Sequence, residues 1–181
     1  MKQEPEPELL ATPITPVNPD EQPACEPYLT GIIPESDLYC FIDGSCRPNP
    51  GEMFAGVYIE FQQRVICKQT YPGGNGTNNE AEFCALIQAL KLLKDAELKQ
   101  HPAADKPGVI VSDSRMVVCA VRGNYKIKGT KLQTRLAEVK ALLQSIKQPH
   151  ELVWSDRKNN IAHAVSIKGH PTSPSRMVNL E

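Results

Sequence analysis

The stretch Leu38–Gly51, LYCFIDGSCRPNPG, decides how the rest of the chain is read. Leu38 to Ile42 is an unbroken apolar run, not an alternating one, and that is the pattern of a strand covered on both faces. The run stops at Asp43, beside Gly44. An ionised carboxylate at that depth is costly unless it is paired or holds a cation. The chain then turns through Arg47-Pro48-Asn49-Pro50-Gly51, where proline presets φ and glycine admits positive φ, before a second strand-like run opens at Met53. A hairpin ending in a solvated aspartate would explain this stretch alone, so Asp43 takes its meaning from its surroundings.

Ahead of the stretch the composition changes. Met1–Asp37 holds one basic and eight acidic residues, a charge of −7, while the remainder holds 19 basic and 13 acidic residues, a charge of +6. Residues 1–36 are dense in proline and glutamate and lack apolar periodicity, so they bury too little surface to offset chain entropy, which predicts a disordered acidic tail. A single domain over 37–169 is expected, with a flexible proline- and serine-rich tail over 170–181. At 181 residues, 40% of them apolar, the chain can build a sizeable core. No apolar h-region follows a basic start and no run resembles a membrane span, which points to a cytoplasmic or nuclear protein. The six cysteines, Cys25, Cys40, Cys46, Cys67, Cys84 and Cys119, show no Cys-x-x-Cys pair and several lie in apolar runs. They read as small core residues, not as disulfide partners or zinc ligands.

Downstream, Met53–Gln63 and Arg64–Tyr71 read as two strands of a hairpin, and Pro72–Gly76 breaks the pattern. A long helix follows, with Phe83, Leu86, Ile87, Leu90 and Leu93 at three- and four-residue spacing. Thr77 and Glu80 form a capping-box signature at its start. Glu82 falls on the face of Leu86 and Leu93, where a solvated acid is not expected. Pro107–Ser112 is another apolar strand that ends in an acid, Asp113, before the helical pattern of Ser114–Val121. The basic loop Gly123–Gly129 leads to an amphipathic helix over Lys131–Lys147, then a strand over Glu151–Trp154 and a short last helix carrying His163. Each site residue has a plain structural alternative: a first-turn acid for Glu82, an N-cap for Asp113, a satisfied or surface histidine for His163. None accounts for three acids gathered at one end of a sheet, an arrangement suited to magnesium or manganese.

The segments FIDGSCRPNPG, TNNEAEFCALIQAL, VIVSDS and NNIAHAVS resemble, in order and spacing, the four motifs of type 1 ribonuclease H, and the match runs from Leu38 to Lys168. The resemblance implies an α/β, RNase H-like fold: a five-stranded mixed sheet, its first three strands antiparallel, flanked by helices. It implies a monomeric endonuclease that hydrolyses the RNA strand of RNA–DNA hybrids, leaves 5′ phosphates, and uses two Mg2+ or Mn2+ ions. By position, Asp43, Glu82 and Asp113 match the family's first three metal-binding acids. The fourth motif departs from the family, because His163 stands where an aspartate is usual. The implied catalytic and metal set is therefore Asp43, Glu82, Asp113 and His163, with a preference for manganese, which accepts nitrogen better than magnesium does. A loop histidine that many members carry before the last helix has no counterpart. The short GNYKIKG loop, without a long basic insertion, is more similar to the archaeal and plant reverse-transcriptase-like branch. Asn49, Asn78 and Glu82 would read 2′-hydroxyls, Thr77 and Asn79 would face DNA, and Lys126, Lys128 and Lys131 would contact phosphates. The alternative is a hybrid-binding module of the same fold with weakened or lost chemistry. His163 motivates it, and the retention of three mutually repelling acids opposes it.

Overall fold

The structure is a computed structural model that describes residues 29–95 and 102–169. Five strands form one sheet: β1 (Leu38–Arg47), β2 (Gly51–Phe61), β3 (Arg64–Gly76), β4 (Gly108–Ser112) and β5 (His150–Trp154), in the order β3-β2-β1-β4-β5. β1, β2 and β3 are antiparallel, and β4 and β5 run parallel to β1. The helices are α1 (Asn78–Lys94), α2 (Arg115–Val121), α3 (Thr130–Ser145) and the short α4 (His163–Ser166). This is the expected mixed sheet, with the apolar run of Leu38–Ile42 on its central strand.

The unbroken run has two destinations. Leu38, Cys40, Ile42 and Cys46 point into the main core with Val57 and Ile59 of β2 and Phe83, Leu86 and Leu90 of α1. Phe41 points the other way, into a smaller cluster with Tyr58, Val109, Val111, Val153 and Ala162. Period-two alternation thus sends neighbouring apolar residues to opposite, equally covered faces.

Pro72–Gly76, expected as a break, instead continues β3 to Gly76. β3 is an edge strand, so the missing N–H of Pro72 costs no ladder bond. Gly73 is an extra residue between the pairs Phe54↔Pro72 and Met53↔Gly74, a bulge that absorbs the irregular sequence. A second correction concerns cysteine. Cys40, Cys46 and Cys84 are buried free thiols and Cys67 is half-buried, but Cys119 is disulfide-bonded, with its partner outside the described residues. Spacing along the chain carries no information about such a pairing.

The packed chain begins ahead of residue 37. Leu29 lies against the main core, Ile33 against the smaller cluster, and the Tyr39 hydroxyl donates to the Pro34 carbonyl at 3.0 Å. Residues 1–28 of the tail expected over 1–36, and the tail expected over 170–181, lie outside the described residues. No helix among the described residues is long and apolar enough to cross a membrane.

Candidate active site

Register brings the first two acids together. β1 and β4 pair in parallel through Ile42↔Ser112, so the next residues, Asp43 and Asp113, emerge side by side where β4 ends. The ladder stops there because Ser114 caps α2, its hydroxyl accepting from the Val117 N–H at 3.4 Å. The N-cap is therefore Ser114, and the Asp113 side chain is free of that structural task.

Glu82 arrives from α1. A Cβ on Gly44 would lie 2.2 Å from the Glu82 nitrogen and 2.2 Å from the Ala81 carbonyl carbon, so only glycine lets the first turn of α1 rest on β1 here. The Gly44 N–H in turn donates to Glu82 Oε2 at 3.1 Å. Glu80 is occupied elsewhere. Its Oε2 accepts from the Thr77 N–H at 2.9 Å while the Thr77 hydroxyl accepts from the Glu80 N–H at 3.3 Å, the expected capping box.

One oxygen from each of Asp43, Glu82 and Asp113 lies within 4.8 Å of the others. Asp43 is fully buried, and neither its Oδ1 nor Asp113 Oδ1 finds a hydrogen-bond partner among the described residues. Burial, followed by the charges of Asp43 and Asp113, holds the Glu82 carboxyl well above the usual range, and the Gly44 N–H and Arg157 offset this only in part. Burial and Asp43 likewise raise Asp113, against the pull of Arg157 and Asn160. Two carboxyls held above the usual range beside the fully buried Asp43, with two orphaned buried oxygens in the group, are a donor set for a hard divalent cation. The residues present fit such an ion.

His163 stands beside this set. Its Nδ1 lies 3.3 Å from Asp43 Oδ2, and the same oxygen accepts the Ser166 hydroxyl. Arg157 Nε lies 3.4 Å from Asp113 Oδ2 with its side chain largely in solvent. Asn160 fastens this segment to β1: its amide donates to the Ile42 carbonyl at 2.8 Å and its Oδ1 accepts from the Ala162 N–H at 3.2 Å. Sequence reasoning passed over Arg157 and Ser166. The spacing of Ser166, three residues after His163 on one helical face, was the available signal.

The residues assigned to nucleic acid fall in two places. Asn49 Oδ1 accepts from the Asn78 N–H at 3.1 Å, which joins the proline-rich loop to the start of α1 and gathers Asn49, Thr77, Asn78 and Asn79 there. Lys126 and Lys128 lie on the loop into α3, and Lys131 in the first turn of that helix. Lys126 lines an open cleft of about 420 Å³ with Tyr125, Gln133 and Lys140.

A sequence model of the RNase H family matches residues 35–178. A protein named Ribonuclease H from Cereibacter sphaeroides is 32% identical over 141 residues, covering 71% of this chain and 87% of the relative. One of the same name from Orientia tsutsugamushi is 27% identical over 145 residues, covering 78% and 84%. Among solved structures, LC11-RNase H1 in complex with an RNA/DNA hybrid superposes with a TM-score of 0.63 at 25% identity, covering 72% of this chain and 94% of that one. RNase H1 from the archaeon Halobacterium salinarum shares the fold, with a TM-score of 0.62 at 24% identity over 72% and 95% of the two chains. With the sheet order, the buried acid cluster and these matches in agreement, the chain belongs to the RNase H family.

Proposed function

We propose that this chain is a metal-dependent endonuclease that hydrolyses the RNA strand of RNA–DNA hybrids and leaves 5′ phosphates. The observation that carries the reading is the gathering of Asp43, Glu82 and Asp113 within 4.8 Å, two of their buried carboxylate oxygens having no hydrogen-bond partner among the described residues. The relatives named Ribonuclease H and the neighbour bound to an RNA/DNA hybrid support the substrate.

Asp43, Glu82 and Asp113 would hold two divalent cations, Mg2+ or Mn2+. Such ions supply water activation and neutralise charge on the departing 3′ oxygen. The chain's own groups do the rest. Arg157 screens the negative charge at Asp113 and leaves its guanidinium at the solvent edge, where it can meet a phosphate. Asn49, Asn78 and Glu82 line the path of the RNA strand, and Thr77 and Asn79 that of the DNA strand. Lys126, Lys128 and Lys131 contact backbone phosphates with salt-dependent strength. His163 is assigned to the cation site through Nε2, since Nδ1 faces Asp43. A nitrogen in place of a carboxylate oxygen favours manganese. The protein acts as a monomer inside the cell, where hybrids form.

A hybrid-cleavage assay with Mg2+, with Mn2+ and with chelator tests the proposal. Cleavage of the RNA strand with either ion and none with chelator is the expected result. A folded protein that binds hybrid and cuts with neither ion would instead be a binding module.

A further inference from the structure

We infer that Ser166 is a positioning residue that sets which oxygen of Asp43 faces the cation site. The inference rests on the hydrolase reading above.

The Ser166 hydroxyl is fully buried and lies against both Asp43 Oδ2 and, at 3.1 Å, the carbonyl of His163. A serine hydroxyl has one proton. The Asp43 oxygen is the closer acceptor, so the proton goes to Asp43. His163 Nδ1 approaches the same oxygen from one turn earlier, and an acceptor-only carboxylate requires that this nitrogen carry its hydrogen. Both donors therefore fall on Oδ2. Oδ1, equally buried, is left without a partner among the described residues and is the oxygen available to the site that Asp43 shares with Glu82 and Asp113.

The hydroxyl is itself held in place. Asp43 pairs across the ladder with Gly56, and a Cβ on Gly56 would lie 2.5 Å from the Ser166 nitrogen and 2.8 Å from the Ala162 carbonyl oxygen. α4 thus rests directly on the β2 backbone. Carbonyls at its C-terminal end accept hydroxyls from the sheet: Ser45 of β1 donates to the Ser166 carbonyl at 3.0 Å and Thr70 of β3 to that of Val165 at 2.7 Å. A donor anchored on three strands restrains a carboxylate that would otherwise rotate. Outer groups of this kind typically change metal affinity or activity about 10–100-fold.

The test uses the full chain and follows Mn2+ binding by the electron paramagnetic resonance signal of free Mn2+, together with hybrid cleavage. Ser166→Ala should weaken Mn2+ binding about tenfold and lower kcat while leaving KM for the hybrid near the wild-type value. Thr70→Ala removes an anchor of the same helix without touching Asp43, and should lower thermal stability while Mn2+ affinity holds. Unchanged Mn2+ affinity and kcat in Ser166→Ala, or equal loss of affinity in Thr70→Ala, would overturn the inference. Asp43→Asn separates this from the parent reading. If that variant still binds Mn2+ and cuts hybrid, the hydrolase site itself is wrong; if it fails while Ser166→Ala matches wild type, only the role of Ser166 falls.

Discussion

On one face of the sheet α1, backed by α3, lies over a continuous apolar core that includes Ile42, Val57, Phe83 and Leu90. The other face carries the four-residue α4 over a small cluster around Phe41 and Tyr58. The first face is held by area removed from water. The second is held by hydrogen bonds that Ser45, Thr70, Asn160 and Ser166 make across the gap between α4 and the strands. Asp43 is tolerated fully buried on the second face because donors meet one of its oxygens; among the apolar side chains of the first it would be expelled or neutralised. Asp43 therefore sits where packing is thin and polar contacts replace it, and Glu82 reaches it from the first turns of α1.

The sharpest way to break this contrast is to remove charge from the thin face. Asp43→Asn should lower hybrid cleavage by at least about three orders of magnitude, each decade being about 1.4 kcal/mol of barrier, while hybrid binding persists or tightens. Single-turnover cleavage beside a binding isotherm checks it, and measurable multiple turnover would sink the assignment of Asp43. On the thick face the cost should appear as stability instead. Leu90 is fully buried, and Leu90→Ala should cost about 2–5 kcal/mol in urea unfolding with kcat of the folded fraction unchanged.

His163 sharpens the comparison within the thin face. His163→Asp should raise Mg2+-supported activity about tenfold toward the Mn2+ level, and His163→Ala should depress both. If neither variant alters the ratio of rates in the two metals, His163 is not a ligand.

The acid cluster should also carry a pH signature. Glu82 and Asp113 have raised folded values, so the metal-free protein binds their protons more tightly than the unfolded chain does. Their contribution to stability is then fully present below the ordinary carboxylate range and lost as pH rises through the folded values. In chelator the melting temperature should fall as pH rises above the ordinary carboxylate range, and Glu82→Gln should flatten that fall. A flat wild-type profile would contradict the electrostatic account.

The smallest effect concerns the acidic segment. Removing residues 1–28, which keeps the packed Leu29 and Ile33, should tighten hybrid binding about two- to threefold at low salt and leave it unchanged at high salt. Equal affinity at low ionic strength would make the segment inert.

Sequence alone determined the elements and their order. The two-sided run of β1, the Thr77–Glu80 cap and the 3.6-residue pattern of α1 are local signals, because propensity, capping and burial periodicity act over a few residues. It also picked out Asp43, Glu82 and Asp113, since each is an acid where an apolar pattern makes an acid costly. Tertiary structure decided what those acids meet. Ser166 lies 123 residues from Asp43 along the chain, and the two touch only through the register Asp43↔Gly56 and the seating of α4 on that glycine. Arg157 reaches Asp113 across a strand end, β3 outlasts its proline because it is an edge, and Cys119 finds a partner that no spacing announced. Such contacts depend on strand register and close backbone approach, which exist only once distant segments have packed.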